Sequence, residues 1–281
     1  MGVGFIGLGN IGAPMARRLV AAFPGACVYD AVPGAMAAFE GQAALAQSPA
    51  DLGRMVRSVA VCVRDDTDVA EVVDGAEGLL RTMRGGVIAI HSTVRPSTVV
   101  ALAARAAEQG VALIDAAVTG GADGAAKGTL TVMVGGDPAD LERARPMLEA
   151  YCSDVVHAGG AGAGMALKLC NNLVTYIELS AALEAYRLAE ALGLDHAQLT
   201  AVMTNNGNLT PSMRQFVAFR RSGAEQIGAA PFRASQEAVA LLGEKDLALA
   251  HEAAEEAGAT IPVADHVHAH FRRIIMEGLK P

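Results

Sequence analysis

A glycine-rich turn at the start of the chain is the first segment whose residue types and spacing point to chemistry. The apolar run Val3–Ile6 leads directly into Gly7-Leu8-Gly9-Asn10-Ile11-Gly12, and a helical pattern follows from Ala13. In such a strand–turn–helix unit, the glycines allow a tight turn, close approach of a pyrophosphate and close helix packing. Free N–H groups at the helix N-terminus then bind the phosphates. The sequence therefore predicts a dinucleotide site formed by Gly7, Leu8, Gly9, Asn10, Ile11 and Gly12.

An acidic residue at the end of the second predicted strand indicates which dinucleotide is bound. Asp30 stands 18 residues after Gly12. A carboxylate there can accept hydrogen bonds from ribose hydroxyls and repels a 2′-phosphate, and neither Ala31 nor Val32 could pair with that phosphate. We predict NAD as the cofactor in preference to NADP. The alternative is that Asp30 is only a turn residue, because Asp is common in turns.

A lysine in an apolar helical pattern is the second feature that could do chemistry. Lys168 and Asn172 are four residues apart, so they share one helix face, and a glycine-rich hinge, Gly160–Gly164, precedes them. Their neighbours are almost all apolar. Burial disfavours the charged form of an amine, so a lysine on such a face can serve in proton transfer. The alternative is an ordinary solvated helix lysine.

The elements that must position these residues follow an alternating pattern in the first half of the chain. Helical patterns at about 11–22, 34–40, 66–74, 96–109 and 138–151 separate short apolar runs. Such runs are typical of a parallel sheet covered on both faces, which here predicts a Rossmann-type doubly wound domain. The predicted strands are Val3–Ile6, Ala26–Tyr29, Ser58–Val63, Val87–Ile90, Val111–Ile114, Thr129–Val134 and Asp154–His157.

After about Gly162 the pattern becomes entirely helical. Met165–Leu192 contains neither Pro nor Gly, which predicts one long interdomain helix. We therefore divide the chain into a dinucleotide-binding domain at 1–161 and an all-α substrate and oligomerisation domain at 162–281. Apolar positions at helical spacing, such as Leu179, Leu183 and Leu188, favour a homodimer or homotetramer, although they fit an internal core equally well.

Composition excludes several classes of function. A net charge of −8 argues against a general nucleic-acid or anionic-membrane partner. No apolar stretch is long enough to span a membrane, and the four cysteines show no metal or disulfide spacing. We expect a soluble cytoplasmic protein with free thiols. We predict no metal site, because among His266, His268 and His270 only the first and last share a helix face and no third ligand is evident.

Several separated motifs together resemble one family, the β-hydroxyacid dehydrogenases, which include 3-hydroxyisobutyrate dehydrogenase and relatives of 6-phosphogluconate dehydrogenase. The resemblance covers nearly the whole chain. Any one motif is only suggestive, but their order is specific. The matching segments are Gly7–Gly12 with Ala13-Pro14-Met15-Ala16, His91-Ser92-Thr93-Val94-Arg95-Pro96, Asp115–Gly121 continuing to Ala126-Lys127-Gly128-Thr129-Leu130, the Lys168 helix, and Lys245-Asp246-Leu247-Ala248-Leu249-Ala250.

The resemblance implies hydride transfer between NAD and a small 3-hydroxy acid or the corresponding semialdehyde or keto acid. It implies that Lys168 is the general acid/base and that Asn172 orients it and the substrate. It also implies substrate binding by Ser92, Thr119, Gly120, Gly121 and Lys245, and further cofactor contacts by Val63, Thr93 and Lys245. The alternative for Lys245 is a solvated helix lysine paired with nearby acids.

Two positions depart from the family's pattern. Members of the family often have Ser where this chain has Thr119, and the extra methyl group would narrow the acid pocket. Their second motif commonly opens with Asp, whereas this chain has Ile90 followed by His91. A histidine at a strand end usually only packs, so we do not expect His91 to be catalytic.

Two other functions fit the same fold. One is an NAD(P)-linked imine or semialdehyde reductase, and the other is a non-catalytic dinucleotide-binding protein. Related imine reductases replace the catalytic lysine, and relatives without catalysis can lack it. The presence of Lys168 together with Asn172 therefore favours the dehydrogenase.

Overall fold

The computed structural model describes residues 2–278, and the chain divides into two compact units. Of the described residues, 2–168 form the α/β unit and 169–278 form the helical unit. The division falls at Lys168, within a helix, rather than at the predicted boundary of 161. Residue 1 and residues 279–281, which end the two predicted domains, lie outside the described residues.

The α/β unit is built on one eight-stranded sheet with the order β3-β2-β1-β4-β5-β6-β7-β8. The strands β1 to β6 are parallel, which confirms the predicted Rossmann-type sheet, and their order 3-2-1-4-5-6 is that of doubly wound dinucleotide-binding folds. The strands are β1 Val3–Ile6, β2 Cys27–Tyr29, β3 Ala44–Leu45, β4 Ser58–Val61, β5 Val87–Ile90, β6 Ala112–Thr119, β7 Leu130–Gly135 and β8 Cys152–Gly159.

The sheet is mostly parallel, and the exception is β7, which runs antiparallel to β6. Only residues 120–129 join these two strands. A crossover between parallel neighbours needs a dozen residues or more, so this short connection turns the chain back on itself. The last strand, β8, is parallel to β7.

Helices cover both faces of the sheet. They are α1 Gly12–Ala22, α2 Pro33–Met36, α3 Pro49–Met55, α4 Asp66–Asp74, α5 Pro96–Glu108, α6 Gly121–Lys127 and α7 Pro138–Leu148, with short 3₁₀ turns at Ala37–Phe39 and Leu79–Arg81. Every residue of β1, β4 and β5 is buried. Alternate side chains of these strands enter opposite cores, as the pleat requires: Phe5 and Ala89 lie in one cluster, and Ile6 and Ile90 in the other.

The helical unit begins within α8, Ala163–Ala191, the long helix that the sequence predicts. It continues with α9 His196–Asn205, α10 Pro211–Ile227, α11 Ala229–Ala257 and α12 Pro262–Met276. Its core contains Tyr176 of α8, Leu247 of α11 and Phe271 of α12. Phe271 lies against Gly243, where a Cβ atom would be only 2.0 Å from the ring. Across residues 2–278, no helix combines the length and apolar character needed to cross a membrane.

Candidate active site

The carboxyl edge of the sheet collects the site residues predicted for the α/β unit. Strands β1, β4, β5 and β6 are parallel, so the loops that follow them lie at one edge. Strand β1 lies between β2 and β4, where the chain order of the sheet reverses, and ligands of doubly wound folds bind at such a point. The loops carry Gly7–Gly12 after β1, Val63 after β4, Ser92 and Thr93 after β5, and Thr119, Gly120 and Gly121 at the end of β6.

Two of the three glycines in the first loop are required by the protein itself. Gly7 has φ +95°, and a Cβ atom on it would lie 2.1 Å from the carbonyl oxygen of Cys62. A Cβ atom on Gly12 would lie 2.0 Å from the carbonyl oxygen of Gly7. Gly9 differs, because a Cβ atom there would meet nothing within 4 Å. The space above Gly9 is therefore open to a ligand.

The start of α1 fits a phosphate group. The helix has no side-chain cap and no acidic residue in its first turn. Among the described residues, none accepts a hydrogen bond from the backbone N–H of Asn10 or Ile11. Unpaired N–H groups and the positive end of the helix dipole together favour an anion. The residues present therefore fit the pyrophosphate of a dinucleotide.

The Asp30 carboxylate lies beside the same turn. Its Oδ2 accepts a hydrogen bond from the N–H of Leu8 at 2.6 Å, and its Oδ1 accepts one from the N–H of Val32 at 2.7 Å. Asp30 is partly exposed. The negative charge is thus held against the glycine loop by two backbone donors.

Ser92 joins two of the loops at the carboxyl edge. Its buried Oγ accepts a hydrogen bond from the N–H of Val63 at 2.8 Å. The neighbouring His91 lies in the core, where Nδ1 is 2.5 Å from the carbonyl oxygen of Ala116 and Nε2 is 2.9 Å from the hydroxyl of Tyr151. Burial lowers the pKa of His91 to about 4. His91, directly before Ser92 in the chain, is therefore a neutral residue packed in the core.

The end of β6 is shaped by two consecutive glycines with positive φ. Gly120 has φ +123° and Gly121 has φ +66°, conformations that other residues adopt rarely. A Cβ atom on Gly121 would meet nothing within 4 Å. Thr119, just before them, pairs with Thr131 of β7. The backbone is therefore open to a ligand at Gly121, two residues after Thr119.

Lys168 is buried, with only 9% of its surface exposed. It lies on the first turns of α8, and Met165 and Leu169 on the same helix are also buried. Asn172, one turn later, is buried as well. Lys168 thus lies on a buried helix face, as the sequence predicted, and it is not a lysine exposed to solvent.

In the helical unit a buried carboxylate organises the predicted residues Asn172 and Lys245. Asp246 is 2% exposed, and its Oδ2 accepts hydrogen bonds from Nδ2 of Asn172 at 2.7 Å and from the hydroxyl of Tyr176 at 2.8 Å. Its Oδ1 lies 3.0 Å from Nζ of Lys245. Burial, and then the charge of Asp246, raise the pKa of Tyr176. The sequence argument assigned no role to Asp246 or Tyr176, although an acid inside the apolar pattern of α11 was the available signal.

The histidines near the C-terminus lie on α12. The rings of His266 and His270 contact each other edge to face. In the part of the chain that the structure describes, no three metal-ligating side chains converge.

Comparisons with known proteins identify the family. The family model described as the NAD-binding domain of 6-phosphogluconate dehydrogenase matches residues 2–160. The model described as NAD-binding of NADP-dependent 3-hydroxyisobutyrate dehydrogenase matches residues 162–281. The chain belongs to the β-hydroxyacid dehydrogenase family. Members of this family are oxidoreductases that move a hydride between a nicotinamide cofactor and a hydroxy acid.

Individual relatives of this dehydrogenase agree. An uncharacterised oxidoreductase of Mycobacterium tuberculosis is 40% identical, over 93% of this chain and 89% of its own length. The NAD-dependent L-serine dehydrogenase of Pseudomonas aeruginosa is 34% identical, over 98% of this chain and 93% of its own length.

Solved structures superpose on almost the whole chain. The 3-hydroxyisobutyrate dehydrogenase of Mycobacterium tuberculosis with L-serine has a TM-score of 0.78 at 29% identity, covering 99% of this chain and 94% of its own. A second structure, which holds NADP⁺, has a TM-score of 0.85 at 29% identity, covering 96% and 93% of the two chains. An imine reductase from Pseudomonas, at 20% identity and a TM-score of 0.67 over 99% and 94% of the two chains, shares the fold.

Proposed function

We propose that this dehydrogenase oxidises a small 3-hydroxy acid, or reduces the matching semialdehyde or keto acid, with Lys168 exchanging the hydroxyl proton. The observation that carries the proposal is the burial of Lys168 and Asn172 one turn apart on α8. Polar side chains that are buried, as these two are, do not contribute to the solvated surface of the protein. Buried polar groups in enzymes concentrate where charge develops during a reaction.

The chain's own groups have defined tasks in this reaction. NAD supplies the hydride acceptor when it is bound. Lys168 takes the proton from the substrate hydroxyl as its carbon loses a hydride, and it returns the proton in the reverse direction. Nδ2 of Asn172 donates to Asp246, and its amide oxygen accepts a hydrogen bond from Nδ2 of Asn171 at 3.4 Å. An amide oxygen has two lone pairs, so this oxygen can also accept a hydrogen bond from the lysine or from the substrate hydroxyl.

The substrate carboxylate is held by the turn at the end of β6. We assign its binding to the hydroxyl of Thr119 and the backbone of Gly120 and Gly121, assisted by Ser92 and by the positive charge of Lys245. Positive φ at both glycines supports this assignment, because the backbone can approach an anion closely where side chains are missing. The methyl group of Thr119 narrows the pocket and favours a short acid. L-Serine, itself a 3-hydroxy acid, is the first substrate to test. One relative is named an L-serine dehydrogenase, and one similar solved structure contains L-serine.

NAD is the proposed cofactor, in preference to NADP. The carboxylate of Asp30 beside the glycine loop supports this preference, because it repels a 2′-phosphate. The next two residues, Ala31 and Val32, carry no positive charge that could offset that repulsion. One structural neighbour holds NADP⁺, so the two cofactors must be compared directly.

Steady-state turnover of a panel of acids with both cofactors tests the proposal. The panel contains L-serine, 3-hydroxyisobutyrate, 3-hydroxypropionate, a 2-hydroxy acid and a cyclic imine. We expect kcat/KM to be highest for a 3-hydroxy acid with NAD. Faster turnover of the imine, or no turnover of any hydroxy acid, would overturn the assignment. Faster turnover with NADP would overturn the cofactor preference alone.

We also propose a cytoplasmic homodimer or homotetramer. Exposed apolar side chains in the helical unit, among them Leu188 and Leu192, support self-association. All four cysteines are free thiols, and two of them, Cys27 and Cys152, are buried, which suits a reducing compartment.

A further inference from the structure

Asp115 is a charged residue in the middle of an otherwise apolar strand. It lies on β6 with no exposed surface. Its Oδ1 accepts a hydrogen bond from the N–H of Gly162 at 2.9 Å, and its Oδ2 accepts one from the N–H of Met165 at 2.7 Å. Burial raises the pKa of the Asp115 carboxyl, and the backbone donors act in the opposite direction. Since both oxygens accept from N–H groups, the geometry is that of the ionised carboxylate.

These two donors belong to the beginning of α8. The first N–H groups of a helix have no partner within the helix, and a side chain at the cap position usually accepts from them. Here Gly160–Gly164 contains only Gly and Ala, so no local side chain can do so. Asp115 supplies the cap from a strand 47 residues earlier, and its negative charge lies at the positive end of the helix dipole.

The glycines around Asp115 allow this approach. A Cβ atom on Gly135, which pairs with Asp115 across the sheet, would lie 2.4 Å from Oδ1 of Asp115. A Cβ atom on Gly164 would lie 2.4 Å from the carbonyl oxygen of Met133 and 2.9 Å from Oδ2 of Asp115. The glycine run before α8, which the sequence suggested as a hinge, is therefore a close packing surface on β7.

We propose that Asp115 is a positioning residue that fixes Lys168 relative to the carboxylate-binding turn. Asp115 stands four residues before Thr119 on β6, and its hydrogen bond to Met165 fixes the backbone three residues before Lys168. One side chain thus ties the strand that ends in the turn to the helix that carries the amine. The inference rests on the function proposed for Lys168, whereas the cap itself does not.

The variant Asp115→Asn tests this role, because it keeps the shape of the side chain and replaces one acceptor oxygen with a donor. We expect kcat to fall by about 10- to 100-fold, since small misplacements of a reacting group have effects of that size. NADH affinity should stay within about twofold, because the glycine loop is untouched. We also expect a larger primary isotope effect with substrate deuterated at the hydroxyl-bearing carbon, and faster hydrogen exchange in peptides that cover residues 162–169.

Loss of stability alone must be separated from loss of position. Leu148→Ala is the matched control. Leu148 is fully buried in α7 of the same unit, and its truncation leaves the hydrogen bonds of Asp115 in place. It should lower Tm while kcat and the isotope effect remain unchanged. Should Asp115→Asn fail to fold, Gly164→Ala displaces the helix while Asp115 is kept, and Gly160→Ala is its control, since a Cβ atom there meets nothing within 4 Å.

The outcomes distinguish this inference from the proposed function. Faster exchange at residues 162–169 with an unchanged kcat would overturn the positioning role and leave the function of Lys168 standing. Unchanged exchange would overturn the cap itself. Full turnover by Lys168→Ala would overturn the proposed function and the positioning role together, even if the cap is real.

Discussion

Buried acidic and basic side chains, histidine aside, are concentrated around α8. In residues 2–278 they are Asp115, Lys168 and Asp246. Lys168 is on α8, Asp115 binds its first turn, and Asp246 binds Asn172 and Tyr176 further along it. Burying a charge is costly unless hydrogen bonds or a partner compensate. At the scale of single residues, α8 is therefore where this chain departs most from an ordinary apolar core.

The open space at Gly9 gives a prediction that separates cofactor binding from folding. In Gly9→Ala the new methyl group meets no protein atom within 4 Å, but it occupies the space that the pyrophosphate needs. We expect the Kd for NADH, measured by fluorescence titration, to rise by about tenfold or more, while the Tm of the free protein hardly changes. Gly160→Ala, equally open and outside the loop, should change neither quantity. NADH affinity equal to that of the wild type would place the pyrophosphate elsewhere.

At the scale of elements, the sequence predicted those strands and helices whose signals are local. The bounds of β1, β5 and α4 agree with the prediction, because each is an apolar or amphipathic run with clear turn or cap residues at its ends. The short strand β3 and the helices α3 and α6 were missed. A strand of two residues and helices of seven residues that contain glycine carry too weak a periodic signal.

The candidate site was predictable to the same extent. The glycine loop and the Lys168 helix are contiguous motifs, and the structure gives each the predicted form. The prediction ended β6 at Ile114 because Asp115 interrupts its apolar run, yet the strand continues to Thr119. What compensates the buried carboxylate is a helix start 47 residues away, and no local pattern encodes such a contact. The hydrogen bonds from Asn172 and Tyr176 to Asp246 span 74 and 70 residues of sequence, and these contacts were missed for the same reason.

His91 connects three elements of the α/β unit and makes its stability depend on pH. The ring lies between β5, Ala116 of β6 and Tyr151 just before β8. Its folded pKa of about 4 lies below the ordinary value of 6.5, so the unfolded chain binds the extra proton first. The contribution of neutral His91 to the free energy of unfolding is fully present above pH 6.5 and is lost as the pH falls toward 4. The total loss is on the order of 3 kcal/mol.

Urea unfolding at several pH values between 7 and 5 measures this effect. We expect His91→Gln to be less stable than the wild type at pH 7 but to lose less free energy of unfolding on acidification. Tyr151→Phe removes the hydroxyl partner and keeps the buried imidazole, so it should retain the steep wild-type dependence. Equal slopes for the wild type and His91→Gln would show that His91 does not titrate in this window.

At the scale of the whole molecule, the helical unit carries many exposed apolar side chains. Leu188 is 61% exposed and Leu192 is 64% exposed. Others in the same unit are Val174, Leu194, Val202, Ile227, Leu241, Leu242 and Val263. Large apolar side chains exposed in such number on a folded unit favour an interface. We expect a second copy of this chain to cover these side chains.

Sedimentation velocity tests this expectation. The wild type should sediment as a dimer or tetramer of the 28.7 kDa chain. Leu188→Glu combined with Leu192→Glu should shift it toward the monomer, because each carboxylate would have to be desolvated in the interface. The same pair changed to Gln, which is polar and uncharged, should shift it less. A monomeric wild type at micromolar concentration would contradict the expectation.

Turnover by Lys168 variants tests the central claim most directly. Lys168→Ala removes the amine, and Lys168→Arg keeps a positive charge that does not release its proton. If Lys168 transfers the proton, both variants should lose kcat by about 10²- to 10⁴-fold while NADH affinity stays close to that of the wild type. Turnover near the wild-type rate in Lys168→Ala would contradict the account. Turnover retained only by Lys168→Arg would show that the residue supplies charge and not a proton.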